Sequence, residues 1–280
     1  MKYIVFISNG GLGNQIFQFS YLKKNFSDEK LLLFGFNDLL RLFNISKKEK
    51  IFPYRGFLKK LIFRGILKNT LNLASGLKII KSVTQERING IETLKSIEQK
   101  GLFNQIVFIR DSYFQSEHFI PTDIKQKLRF KSFLSKTEVR NFNSNHVFIH
   151  YRGGDFNEYK PLGKSVILPE KYFEIAISHI KENIKKPVFV IFGNEKFPYQ
   201  YLLKDSQIKK IHGSSQYEDF YLMSRFQNAI LSPSTFSWWA TYFMERKNII
   251  IVPKYWLGFN SRKYYPESPI ASYMTEIDFI

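Results

Sequence analysis

The sequence predicts an α/β protein of two units, each a parallel sheet covered by helices on both faces. Three observations carry this. Short apolar runs, of strand length, alternate with longer segments whose apolar positions recur at helical spacing. The alternation halts at a polar stretch, Asn141-Phe142-Asn143-Ser144-Asn145, and then restarts. A chain of 280 residues that is 44% apolar has material for two medium-sized cores. The boundaries expected are 1–143 and 144–280, with the final segment a candidate to pack back on the first unit.

Taken in order, Tyr3-Ile4-Val5-Phe6-Ile7 is a strand that runs into Ser8-Asn9-Gly10-Gly11-Leu12-Gly13-Asn14-Gln15 and then a helix. Three glycines in four residues let backbone approach a ligand, and the helix start offers unpaired N–H groups to a phosphate or sugar oxygen. The amides of Asn14 and Gln15 donate and accept at the same spot. Ile16 stands where the dinucleotide fingerprint needs its third glycine, which argues against an ordinary NAD loop. Leu31-Leu32-Leu33-Phe34 is the second strand. Residues 36–100 give helical patterns broken by Pro53, Gly56, Gly65 and Gly76, with no clear strand. Gln105-Ile106-Val107-Phe108-Ile109 is a strand that leads to an aromatic loop, Ser112-Tyr113-Phe114-Gln115-Ser116.

In the second unit the strands are 146–150, 187–192, 208–211, 228–231 and 248–252, and the helices 169–185, 217–226 and 236–245. In such sheets ligands bind beyond the carboxyl ends of the strands. Two loops there carry chemistry. His150-Tyr151-Arg152-Gly153-Gly154-Asp155-Phe156 supplies a planar guanidinium suited to a diphosphate, with glycines beside it. Asp155 has two readings, holding Arg152 in place or acting on a substrate hydroxyl. Ser232-Pro233-Ser234-Thr235-Phe236-Ser237-Trp238-Trp239 opens a helix with hydroxyls that serve either as caps or as a phosphate cradle. Of the two tryptophans, one is expected in the core and the other in the cleft.

Charge narrows the function classes. The formal net charge is +18, and residues 1–143 hold 25 Lys and Arg against 11 Asp and Glu, whereas 144–280 hold 17 against 13. That points to nucleic acid, an anionic membrane or a phosphorylated substrate. At helical spacing Lys60, Arg64 and Lys68 form a basic stripe, with Leu58, Leu61, Ile62 and Ile66 facing away. The segment reads equally as a membrane-surface helix or as a surface helix burying its apolar face. No nucleic-acid motif accompanies the charge, so no nucleic-acid partner is expected. The chain has no cysteine, no signal-peptide core and no apolar run of membrane-spanning length, which predicts a cytoplasmic protein.

Metal and phosphate-loop readings find little. Gly163-Lys164-Ser165 ends like a P-loop, but Glu158 holds the first glycine position and Pro161 intervenes. His146 and His150 lie on one strand, about 13 Å apart at strand rise, too far to share a metal. No Asp-x-Asp occurs in the chain.

The motifs Gly10-x-x-Gly13-Asn14-Gln15, His150-x-Arg152-x-Gly154-Asp155, and Asp219-x-x-x-Met223-Ser224 leading to Ser234-Thr235-Phe236-Ser237-Trp238-Trp239 resemble the α-1,2-fucosyltransferases of glycosyltransferase family 11. The first two are also similar to those of α-1,6 and protein O-fucosyltransferases. The resemblance runs from residue 3 to about 252 in family order, with 36–100 unplaced. It implies a GT-B fold with two facing Rossmann-like domains, the first on the acceptor side and the second binding the GDP-sugar. It implies GDP-fucose as donor, inversion at the anomeric carbon, and no metal or other cofactor. The acceptor would be an oligosaccharide or lipid-linked glycan of a cell-surface polysaccharide such as an O-antigen, which puts the enzyme at the inner face of the plasma membrane.

Carried over, the resemblance has Arg152 grip the diphosphate and His150 sit by the guanine. Asp219 accepts from the guanine, and Ser234, Thr235 and Ser237 belong to the phosphate loop. Asn14 lies near the β-phosphate and the acceptor hydroxyl. Three readings of the base stand open: Asp155, Glu158, or no side chain, with Asn14 positioning the hydroxyl and the leaving phosphate taking the proton. The sequence departs from the family at Gly153, where a second arginine is usual, and at Gly193-Asn194-Glu195, where an acidic pair is frequent.

Overall fold

A run of buried aliphatics followed by a glycine turn starts each half of the chain, and each half builds its own sheet around that first strand. In the computed structural model, which describes residues 1–280 apart from 48, 55, 133, 135–141, 210–212 and 214, contacts divide the chain into Met1–Phe130 and Lys131–Ile280. The division precedes the expected one because Phe142 stacks on Phe226, ring centroids 3.8 Å apart, and so belongs to the second core.

In the first unit β1 (Tyr3–Ile7) leads to α1 (Leu12–Asn25) and β2 (Lys30–Phe34). Then come α2 (Asn37–Leu42), β3 (Phe43–Asn44) and β4 (Lys50–Phe52). α3 (Phe57–Lys60), a π-helical turn (Leu61–Leu67) and α4 (Lys68–Gly76) follow one another directly as a single helical rod. β5 (Ile80–Ile88), β6 (Ile91–Gln99), β7 (Phe103–Ile109), α5 (Ile124–Lys127) and β8 (Arg129–Phe130) complete it. The main sheet has the order β4-β2-β1-β7-β5-β6. It is parallel except for the β5–β6 hairpin.

Region 36–100, for which the sequence predicts no clear strand, thus holds four: β4, β5 and β6 of the main sheet, and β3, which pairs with β8 in a two-stranded sheet. The hairpin's signal was present: Asn89 and Gly90 both take positive φ, at 52° and 81°, as the favoured two-residue hairpin turn requires. Of the two readings of the basic rod, the one that buries its apolar side is not what the structure shows. Lys60 and Arg64 line a cavity of the unit, while Leu58, Leu61, Ile62 and Ile66 are the exposed side.

The second unit is wholly parallel. β9 (His146–Tyr151), α6 (Glu170–Asn183), β10 (Val188–Gly193), β11 (Gln207–Lys209), α7 (Gln216–Met223), β12 (Asn228–Leu231), α8 (Thr235–Phe243), β13 (Ile249–Pro253) and β14 (Thr275–Ile277) follow in sequence. The sheet order is β11-β10-β9-β12-β13-β14. Every residue of β9 and β12 is buried, as expected of strands covered on both faces. The strand expected at 208–211 ends within the described residues at Lys209; 210 and 211 lie outside them. The final segment belongs to the second unit. It adds β14 to this sheet, with Ile251 opposite Thr275, and Phe279 packs against Tyr172 and Phe259.

In both sheets the first strand is central and the order reverses beside it, between β1 and β7 and between β9 and β12. These are topological switch points, where open α/β sheets hold ligands beyond the carboxyl ends of the strands.

Candidate functional site

In the second unit the switch point brings three loops together, those after β9, β10 and β12. Arg152 follows β9 at once. Its backbone N–H donates to Ser232 Oγ at 3.2 Å, which ties the β9 and β12 loops to each other. Its guanidinium donates twice to Asp155, Nε to Oδ1 at 3.0 Å and Nη2 to Oδ2 at 2.8 Å, and lies over the Phe156 ring. Both groups are partly exposed, so this pair adds little stability; what it does is fix the direction of the fork. Among the described residues two of the five guanidinium protons are used, and the other three remain for an anion.

The two sequence departures meet in this loop. Asn194 Oδ1 accepts from Gly153 N–H at 3.1 Å, and its amide donates back to Gly153 O at 3.4 Å. A side chain begun at Gly153 would meet the carboxylate of Glu195, and one at Gly154 would meet Asn194 Nδ2 at 2.6 Å. Gly154 also holds φ at +56°, in the left-handed region. Here Asn194 and Glu195 therefore fill the space beside the glycines, and Asn194 bonds the Gly153 backbone.

The β12 loop supplies the helix start. Ser234 is the N-cap residue of the nine-residue α8; its side chain makes no cap hydrogen bond, and its own N–H donates to Ser232 O at 2.7 Å, which tightens the loop that leads into the helix. Thr235 stands half-buried at the first helical position. Ser237 differs: it is fully buried and its hydroxyl donates to Ser234 O at 3.2 Å, so it is committed to the helix. Trp238 and Trp239 are both in the core, contrary to the expectation that one lines a cleft.

His150 lies beneath this surface. Burial, and secondarily the nearby Arg152 charge, push its pKa down to about 3, and its Nδ1 has no hydrogen-bond partner among the described residues. The neutral ring packs 6.0 Å from Phe236, under the start of α8, and so supports the loops from below. Asp219, in the first turn of α7, accepts from Gly213 N–H at 2.7 Å. Glu158 ends the short turn after Asp155, with its side chain exposed. Among the described residues no group of three or more His, Cys, Asp or Glu could hold a metal ion.

The first unit's switch point carries Asn14, whose Oδ1 accepts from Gln115 Nε2 at 2.9 Å, so the β7 loop orients this amide. Gln15, read from sequence as a second ligand amide, is spent on the fold. Its Nε2 donates to Gly10 O and Asp38 Oδ2, both at 3.1 Å, and its Oε1 accepts from the N–H groups of Asp38 and Leu39. Beside it opens a cavity of about 370 Å³ whose lining includes Ser8, Asp38, Tyr54, Lys60 and Arg64. The sequence reading saw these cations as an outer surface and missed the cavity.

The profile of glycosyl transferase family 11 matches residues 3–267. An Escherichia coli protein described as an alpha-1,2-colitosyltransferase is 28% identical over 285 residues, covering 91% of this chain and 93% of its own length. The O-antigen biosynthesis glycosyltransferase WbnK of the same organism is 27% identical over 126 residues, 43% of this chain and 42% of that protein. Among solved structures, a mutant of Arabidopsis thaliana FUT1 in complex with GDP superposes with a TM-score of 0.51 at 14% identity, over 89% of this chain and 70% of that one. The fold is of the GT-B type, two Rossmann-like units with parallel sheets. The chain belongs to glycosyltransferase family 11 and is a glycosyltransferase that uses a nucleotide sugar.

Proposed function

We propose that the protein is an inverting, metal-independent transferase that moves fucose from GDP-fucose to a hydroxyl of a cell-surface glycan precursor, with galactose O-2 the first candidate. The observation that carries this reading is the Arg152 fork, held by Asp155 at the end of β9 beside the uncapped start of α8. A guanidinium and a helix N-terminus together stabilise a departing diphosphate without a cation. In the displacement the acceptor oxygen bonds to the anomeric carbon while that carbon's bond to the β-phosphate oxygen breaks, and GDP leaves. Ser234 and Thr235 assist at the phosphates, and Asp219 receives the guanine N–H groups. His150 supports this site from beneath.

Asp155 has both oxygens engaged by Arg152, which favours orientation over proton removal. Glu158 is then the side-chain base to test against a route in which Asn14 positions the hydroxyl and the leaving phosphate takes its proton. The O-antigen named for one relative supports the acceptor class. A second reading, transfer of a different sugar from its GDP form, is favoured by the colitosyltransferase among the relatives and by the rebuilt Gly153–Glu195 loop.

No helix among the described residues is long and apolar enough to cross a membrane. We place peripheral contact with an anionic membrane, at the inner face, on the exposed apolar side of the rod 57–76, backed by the excess cations of this half. Leu58→Asp with Ile62→Asp should abolish co-sedimentation with anionic vesicles; unchanged sedimentation sinks this contact.

The deciding experiment is a donor panel in excess EDTA, GDP-fucose against other GDP-sugars, read by donor consumption and transfer. Turnover of GDP-fucose is expected. Preference for another GDP-sugar selects the second reading, and loss on chelation restored by Mg²⁺ or Mn²⁺ removes the metal-free mechanism.

A further inference from the structure

We propose that the cavity of the first unit is a binding site for a sugar ring bearing an oxyanion, a carboxylate or a phosphate. Its location is the first argument: Ser8, Phe36 and Tyr54 place it just past the carboxyl ends of β1, β2 and β4. Its charge is the second. Lys60 lines it with no acidic partner among the described residues, and Arg64 lines it with Nη2 donating to Asn9 Oδ1 at 2.9 Å and weakly to Ser8 O. The neighbouring Lys68 is neutralised by Asp111, and the cavity's own carboxylate, Asp38, is engaged by Gln15. Two cations thus face one anion already in use.

The third argument is an unspent polar atom. Tyr54 lines the cavity with its Oη buried and in no hydrogen bond of normal geometry, the Arg64 guanidinium lying close by. A ligand oxygen between Arg64 and Tyr54 would satisfy both. The Phe57 ring, 78% exposed at the rim, offers a flat apolar face to the C–H side of a pyranose. Arg64 is carried by the π-helical turn, a distortion frequent at functional sites.

Assigning this ligand to the sugar acceptor rests on the reading of the first unit as the acceptor side; the binding itself does not. The test is calorimetric titration of the full chain, at low ionic strength, with galacturonic acid, galactose 1-phosphate, galactose and inorganic phosphate. At least one acidic sugar should bind about tenfold more tightly than galactose and more tightly than phosphate alone. Which of the two binds identifies the oxyanion. Lys60→Gln and Arg64→Gln should each weaken that binding about tenfold and Tyr54→Phe about threefold, with GDP binding unchanged in all three as the test of folding. Equal binding of galactose and the acidic sugars, phosphate binding as tightly as the phosphosugar, or variants without effect would overturn the proposal. Acidic-sugar binding as expected in a protein that neither binds nor consumes a GDP-sugar would leave this site standing and remove the donor reading.

Discussion

Arg152 and Asp155 form the pair on which the proposed chemistry turns, and their geometry separates two kinds of damage. Arg152→Ala should abolish transfer, and Arg152→Lys should restore little, because lysine keeps the charge but loses the fork. Loss of one such contact to a developing charge costs about 10²–10³ in rate. Near wild-type turnover in Arg152→Ala would show the donor site to be elsewhere. Asp155→Asn should raise the Kd for GDP as well as lower kcat, since it frees the arginine it holds. Glu158→Gln should lower kcat with donor affinity kept if it is the base; if it leaves kcat unchanged and Asn14→Ala does not, proton transfer to the leaving phosphate is favoured. His150 gives an acid-side prediction. Its folded pKa, about 3, lies below the ordinary 6.5, so the unfolded chain binds the extra proton first. Its contribution is complete above about pH 6.5 and is lost as pH falls toward 3; His146, also lowered by burial, acts in the same direction. Denaturation midpoints measured from pH 7 to 4 should fall, and His150→Gln should flatten that slope.

At the scale of elements, the loop after β9 makes a sharper comparison than any single residue. Gly153→Ala should be nearly neutral, because the group it meets is the movable end of an exposed Glu195 side chain. Gly154→Ala should cost about 1 kcal/mol or more and weaken GDP binding, because it strains a left-handed position and displaces the Asn194 amide that clamps the loop. Thermal melts with and without GDP decide it; equal melts for the two variants would mean that the clamp does not matter. The strands around this loop were legible from sequence because buried parallel strands are unbroken apolar runs. The first unit was less so. Hydrophobic spacing told which residues of 57–68 share a side, but not which side meets the protein: here the apolar side is left exposed, while Lys60 and Arg64 line a cavity. Asn14 and Gln15 are alike as a motif, and only the distant Asp38 and Leu39, which take up Gln15, tell that Gln15 is a structural amide. Asn89-Gly90 does announce its hairpin, but polar residues interrupt the strands on either side of it, so neither stands out as an apolar run.

For the whole molecule, the two units should answer ligands separately by region. GDP at about 100 times its Kd adds about 2.7 kcal/mol to whatever it binds. Hydrogen exchange should therefore slow around residues 150–156 and 232–237, the loops that would meet the diphosphate. Protection confined instead to Met1–Phe130 would reverse the assignment of donor and acceptor units. Fluorescence sharpens the same point. The chain has three tryptophans, and Trp238, Trp239 and Trp256 are all buried in Lys131–Ile280. Intrinsic tryptophan emission is thus a built-in reporter of that half alone, blind to Met1–Phe130, whereas far-ultraviolet circular dichroism averages both. A denaturation followed by the two signals together tells, from whether their midpoints coincide, whether the halves melt as one body or in turn.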